Sequence, residues 1–335
     1  RGVVVVANGD SPLIGHEHLE SLVEAVSAGG SAGSRGAAGA FLTAELAEPG
    51  RYGRVVRGAS GQVERIVEAS EASARELALR EINAGAYAFR WPDLSSVLDR
   101  LGSDNAKGEF FLTDAVRLLI ESGGRVEGVR ADDPDVALGV NTQAELAAVN
   151  EIWQRRLRER LLAGGVSMPS PSHVYLEQEV EVAEGTIIHP FSVLRRGTKV
   201  AAGCQIGPFA HLRGGVEMAP GAELGNFVEA KAATIGAGAK AKHLTYLGDV
   251  EIGARANVGA GTIVANYDGR KKHRTKVGAR AFIGSGTVLV APVEVGEEAL
   301  TGAGTVVLAG HDVGPREVVV GVPSRRIGTR EVGEA

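Results

Sequence analysis

The chain has 335 residues, a net charge of −5 and a pI near 6.0. That acidic balance argues against nucleic-acid binding, which needs a basic face, and no apolar run reaches the roughly 18 residues of a membrane span. The length suits about two domains, and a single cysteine, Cys204, excludes an intrachain disulfide and fits a reducing, cytoplasmic setting.

The first half reads as α/β. Residues 3–7 form an apolar strand ending in Asn8-Gly9-Asp10, which sets a carboxylate at the carboxyl end of a strand, the usual ligand edge of an open α/β sheet. No secretory leader is visible. A domain rarely opens on a buried strand, so the expectation is a fragment that lacks the N-terminal residues of a longer protein. Residues 16–27 carry helical spacing through Leu19, Leu22, Val23 and Val26. A Gly/Ala/Ser-rich loop over 28–39 follows, then strands over 40–44, 53–57, 63–67 and 85–89. Thr142-Gln143-Ala144-Glu145 is a capping box. It opens a helix with Leu146, Val149, Trp153, Leu157 and Leu161 on one face, closed by Gly164-Gly165. Residues 166–176, with Pro169 and Pro171, read as a linker. The expected division is an α/β domain over 1–141, a helix and linker over 142–176, and a repeat domain over 177–335.

The repeat is a hexapeptide. Val182, Ile188, Leu194, Val200, Ile206, Leu212, Met218 and Leu224 stand six apart. After phase slips the period returns at Ile235 and Ala241, then runs through Ile252, Val258 and Val264, and again through Val277, Ile283, Leu289, Val295 and Thr301. Three such hexads make one coil of a triangular β-helix, with the aliphatic residue inside and a small residue turning the corner. The 47 glycines, about twice the usual frequency, and the 4% aromatic content match a narrow shaft. Seven to eight coils are expected, roughly 35 Å at the strand spacing. Cys204 falls late in its hexad, where a small buried side chain is needed.

Two groups of residues are suited to chemistry. In the α/β half they are Asp10, Tyr52-Gly53-Arg54, Glu68, Asn83, the run from Asn105 to Asp114, and Asn141. Asp10 and Asn141 are a sparse oxygen pair of the kind that holds Mg²⁺ while waters and phosphates complete its shell; a lone Asp after a strand is also a common turn residue. In the repeat, polar side chains interrupt the pattern at 225–231, 242–246, 257–262 and 266–273. The step from Val264 to Val277 leaves room for a basic loop, Arg270 to Arg274. Arg213, Lys231 and Lys272 suit a phosphate, and His243 suits a general base. Backbone N–H groups of Gly259-Ala260-Gly261 are candidates to polarise a carbonyl. His189, His211 and His243 lie 22 and 32 residues apart. Those are not multiples of a coil, so a shared zinc is not expected.

These segments resemble a bacterial bifunctional family that joins a UDP-N-acetylglucosamine pyrophosphorylase domain to a glucosamine-1-phosphate N-acetyltransferase domain. The resemblance rests on NGDSPL (8–13), RYGRVV (51–56), IVEASEA (66–72), EINAG (81–85), AKGEFFLTD (106–114) and GVN (139–141). In the repeat it rests on IGPFAHLR (206–213), LGNFVEAK (224–231), KHLTYLGD (242–249), NVGAGTIVANYDG (257–269) and FIGSGTVLVAP (282–292). It implies a partial Rossmann-like nucleotidyltransferase domain, α/β, followed by a left-handed parallel β-helix. It makes His243 the acetyl-transfer base, with Arg213, Lys231, Tyr246 and Asn257 on the sugar phosphate. Ala260, Asn266, Tyr267, Lys272, Ser285 and Ala303 would meet acetyl-CoA. Where the family commonly carries an arginine this chain has Gly321, and Arg325 or Arg326 takes its place on the CoA phosphates. Asp10 and Asn141 match the Mg²⁺ ligands, and Asn8, Gly9, Gly53, Glu68, Asn83 and Asn141 match contacts to the uridine sugar nucleotide. The family's opening strand and Gly-rich phosphate loop are absent from this sequence, so uridylyl transfer by this chain alone is not expected. The implied assembly is a cytoplasmic homotrimer supplying UDP-N-acetylglucosamine for the cell wall. Two other readings are a nucleotidyltransferase with the prism as a trimerisation stalk, and a non-catalytic scaffold. The intact HLTY and NYDG sets disfavour both.

Overall fold

The computed structural model describes residues 2–27, 36–103 and 108–329, in two compact units that divide between Trp153 and Gln154. Most of the Gly/Ala/Ser-rich stretch and the first residues of the 106–114 motif lie outside the described residues.

The first unit is a mixed sheet of six strands: β1 (Val3–Ala7), β2 (Gly39–Glu45), β3 (Arg54–Arg57), β4 (Val63–Val67), β5 (Glu81–Arg90) and β6 (Val126–Arg130). The central β5 runs antiparallel to β1, β2 and β3, while β2 and β6 are parallel. Period-two alternation divides β5 between two cores. Ile82, Ala84, Ala86 and Ala88 face one side, where Leu22 and Val26 of helix α1 (His16–Ser27) pack. Tyr87 and Phe89 face the other, against Leu94, Val97, Val116 and Leu119. Those four come from helices α3 (Trp91–Val97) and α4 (Thr113–Glu121); a short α2 (Ala74–Leu77) precedes them. Small alanines on one side let α1 lie close, and rings on the other fill the deeper layer. β1 departs from expectation: it is an edge strand beside β5, and its alternation leaves Val3 and Val5 37% and 41% exposed on one face while Val4 and Val6 are partly covered on the other. Helix α5 (Gln143–Ala163) starts at the expected capping box, with Thr142 and Glu145 exchanging hydrogen bonds. Leu146, expected on its apolar face, is exposed in the first turn, whereas Val149, Leu157 and Leu161 are buried.

The second unit is a parallel β-helix with three faces of eight, seven and nine strands. Every member of the hexapeptide series is buried except Val182, which is partly covered in the first coil. Stacking starts at 18 residues per coil, as in Val193 on His211. It shortens by one where Glu217 meets Thr234, and lengthens to 25 where Val250 meets Thr275, across the basic loop. Cys204 is fully buried, and burial pushes its thiol up from the usual value.

The segment read as a linker already belongs to this unit. Tyr175–Leu176 pairs with Val193–Leu194, and Ser167 bridges to Ile187. The Gln154 amide completes the bottom edge: Nε2 donates to the Leu176 carbonyl (2.6 Å) and Oε1 accepts from the Leu176 N–H (3.0 Å). One side chain thus supplies the bonds a neighbouring strand would make, closing an open sheet edge.

Candidate functional sites

In the first unit the loop after β1 is fixed from two sides. Asn8 N–H donates to the Gly85 carbonyl (3.0 Å), and Val140 N–H donates to the Asp10 carbonyl (2.8 Å). Gly85 has φ +79°, and a Cβ there would lie 2.5 Å from Asn8 Nδ2, so only glycine lets the two segments meet. Asn8, Asp10, Gly53, Glu68, Asn83 and Asn141 line one cavity of about 930 Å³, and Gly9 sits in the loop between two of them. Asp10 Oδ2 and Asn141 Nδ2 approach the same point, 3.6 and 3.8 Å from a Cβ built on Gly139. Thr113 Oγ1 donates to Glu68 (2.9 Å), and Asn83 Nδ2 donates to Tyr87 Oη (2.6 Å). Burial pushes Tyr87 up to about 12, so its phenol stays protonated and orients Asn83. Tyr87 was not read from the sequence, although a ring inside an alanine run marks it. Arg54 is not in the cavity. It is 3% exposed and donates to the Tyr52 and Gly50 carbonyls, which holds the loop carrying Arg51 and Tyr52 to the cavity wall.

In the prism the candidate residues fall into two sets on different edges. The first is a file. Asn226 stacks on His243, and the hydrogen bonds Leu244 N–H to Asn226 O, Gly261 N–H to His243 O, Gly286 N–H to Ala260 O and Gly304 N–H to Ser285 O carry the column upward. His243, Ala260, Ser285 and Ala303 therefore lie one above another, with His243 exposed at the foot of a lane of small side chains. Arg325 pairs with Val320 at the end of the same face, while Arg326 is engaged by Glu317. Asn257 stacks on Lys240 on that face. One expectation fails here. The N–H groups of Gly259 and Gly261 already donate to the Ile283 and His243 carbonyls, so this turn does not supply a pair of N–H groups to a carbonyl.

The second set is cationic and lies at the far end of the 246–248 strand. Lys272 and then Arg213 hold the Lys231 ammonium below the usual lysine range, as crowded like charges do. Arg213 is braced by Glu229 (2.9 Å). Asn266, 6% exposed, donates to Asp249, a residue sequence reading passed over. Tyr246 Oη and Asn266 Nδ2 converge over Gly248, 2.5 and 2.7 Å from a Cβ built there. Tyr267 is 60% exposed on the loop. Ala232, Asp249, Lys272, His273 and Arg274 surround a hollow of about 230 Å³. His211 lies on this face and His243 on the next.

A polar cavity at strand ends in one unit, and in the other a hexapeptide prism with an exposed histidine file and a cation cluster, define a two-unit protein. Three relatives, each named bifunctional protein GlmU, match it. The Clostridium novyi protein is 37% identical over 327 residues, covering 88% of this chain and 70% of the relative. Those of Burkholderia thailandensis and Trichlorobacter lovleyi are 41% and 39% identical over 274 residues, covering 72% of this chain and 60% of each relative. The chain belongs to the GlmU family, and spans 60% to 70% of the length of these relatives. No protein-family model matches it. Among solved structures, the polySia-specific acetyltransferase NeuO is similar over 51% of this chain and 85% of its own, at 15% identity and a TM-score of 0.32, too low to add to the argument.

Proposed function

We propose that the prism transfers the acetyl group of acetyl-CoA to the amine of glucosamine-1-phosphate. The observation that carries this reading is the pairing of an exposed His243, at the foot of a small-residue lane, with a cluster of three cations in the same coils. The cations suit a phosphate monoester. The lane Ala260–Ser285–Ala303 leaves room for the thin thioester arm of CoA, with Arg325 near its end for the CoA phosphates. His243 takes the proton from the sugar amine as its nitrogen attacks the thioester carbonyl carbon. The carbon–sulfur bond then breaks, and CoA leaves with a proton as the free thiol. Cys204 is buried and takes no part, and direct attack requires no acyl-enzyme.

Within one prism the histidine file and the cation cluster sit on different edges. We therefore place the working site between neighbouring prisms of a homotrimer, where two convex surfaces make one groove. The first unit's cavity suits UTP or UDP-N-acetylglucosamine. Asp10 and Asn141 are hard, sparse donors on its wall and would hold Mg²⁺, which offsets phosphate charge when bound. Among the described residues no helix is long and apolar enough to cross a membrane, and the lone reduced thiol suits the cytoplasm. The product would serve UDP-N-acetylglucosamine synthesis for the cell wall.

Two assays on the purified chain test this reading: CoA-thiol release with glucosamine-1-phosphate, and Mg²⁺-dependent binding of UDP-N-acetylglucosamine with and without Asp10→Ala. Thiol release that does not depend on the amino sugar would refute the first half. Binding indifferent to both metal and Asp10 would refute the second.

A further inference from the structure

The basic loop is organised by one carboxylate. Asp268 Oδ1 accepts from the N–H groups of Arg270 and Lys271, each at 2.7 Å, and Oδ2 meets His273 Nε2 at 2.7 Å. His273 N–H donates back to the Asn266 carbonyl (2.8 Å), and Tyr267 bridges to Lys272 across the turn. Five consecutive basic residues, Arg270 to Arg274, would otherwise repel and splay the loop. The Asp268 anion sits among them, and its backbone bonds and His273 hold its carboxyl down at about 2, so it stays ionised. The root is equally tied down. Asn266 is buried against Asp249, and Asp249 N–H donates to the Lys231 carbonyl (2.9 Å). A continuous chain of polar contacts thus runs from Asp268 through His273, Asn266 and Asp249 to Lys231. Lys272, beside His273 in the chain, lines one hollow with Ala232 and Asp249, the neighbours of Lys231, and its charge helps to hold the Lys231 ammonium below the usual lysine range.

We propose that Asp268 and His273 are positioning residues: they lock the loop so that Lys272 stands beside Lys231 and Arg213, a preformed trio for a phosphate. This rests on the anion-binding reading of the cluster given above. Neither residue needs to touch the ligand. Their effect is to remove the ordering cost that a free loop would incur when a phosphate arrives.

The test is calorimetric titration of the full chain with inorganic phosphate and, separately, glucosamine-1-phosphate. The variants are Lys272→Ala, Asp268→Ala, His273→Ala, Asp268→Asn and the Asp268→Ala/Lys272→Ala double. Lys272→Ala should weaken phosphate binding about tenfold, the scale of one charged hydrogen bond. Asp268→Ala and His273→Ala should weaken it by a similar or smaller factor, and the double variant no further than Lys272→Ala alone. Asp268→Asn keeps the acceptor for both backbone N–H groups but removes the charge, and should bind between the parent and Asp268→Ala. In turnover, Asp268→Ala should raise the KM for the sugar phosphate and keep most of kcat. Parental affinity in Asp268→Ala, or losses that add fully to those of Lys272→Ala, would overturn the assignment. If Asp268→Ala fails to fold, His273→Ala in the same cycle decides it by the same criteria. A chain that gives the expected binding cycle yet transfers no acetyl group would refute the proposed reaction and leave the loop assignment standing.

Discussion

Replacing Gly225 by alanine should damage both the prism and its activity, through one contact. A Cβ at Gly225 would lie 2.2 Å from the Lys242 carbonyl oxygen and 2.8 Å from the Lys242 Cα and carbonyl carbon in the next coil. Ordinary contact needs about 3.5 Å, so the coils must part by roughly 1 Å. The bonds that join them, Glu223 N–H to Ala239 O and Leu244 N–H to Asn226 O, are both 2.9 Å and would stretch past useful length. Two weakened ladder bonds at about 1 kcal/mol each, added to overpacking of about 1–3 kcal/mol, give about 3–5 kcal/mol. His243 follows Lys242 directly, so it moves with the displaced strand, and an error of this size costs roughly 10²-fold in rate. Urea unfolding followed by circular dichroism, with CoA-thiol release on the same samples, checks both. An unchanged midpoint with a parental rate would refute the claim that this glycine sets coil spacing under the base.

Phosphate affinity should fall as pH rises through the lowered Lys231 pKa, since the protonated form binds; the loss should come earlier than for an isolated lysine, with proton uptake on binding, and calorimetry in two buffers of different ionisation enthalpy would detect both. An affinity flat above neutral pH would count against the cluster. Cys204 should resist an aromatic disulfide reagent in the folded chain and react once the prism is unfolded, because it is buried and its thiol is pushed up. Mixing His243→Ala and Lys272→Ala chains by unfolding and refolding, assayed at a sugar phosphate concentration too low for either variant alone to turn over well, should restore part of the activity, if the two residues serve one site from different subunits. No recovery, together with a monomeric mass and full activity on dilution, would rule the shared site out.

The coils were legible because each inward residue repeats within a few positions of the last, so a local pattern fixes the global stack. The helices α3 and α4 were not. Each is short, and the second begins inside the 106–114 motif, so only a few residues of apolar spacing remain to mark it. The cavity residues stand at separate strand ends and motifs, and they meet because β5 and the 139–141 loop both tie down the loop after β1. Sequence proximity is no guide to position in the prism. His243 and Tyr246 are three residues apart, yet a corner intervenes and sets them on different faces. The turn at Gly259-Ala260-Gly261 looked available for catalysis because a sequence does not reveal which N–H groups the neighbouring coil already engages. Asp249 and Asp268 carry no motif that separates a structural carboxylate from a surface one; their partners appear only when the loop is folded.

The central claim is that His243 removes the amine proton during acetyl transfer. Its most direct test is the rate of glucosamine-1-phosphate-dependent CoA-thiol release at saturating substrates, parent against His243→Ala, with the fold of both confirmed by circular dichroism. The account predicts a fall of roughly 10²–10⁴-fold in kcat with an unchanged fold, the range for losing a general base. A variant that turns over near the parental rate at neutral pH would contradict it.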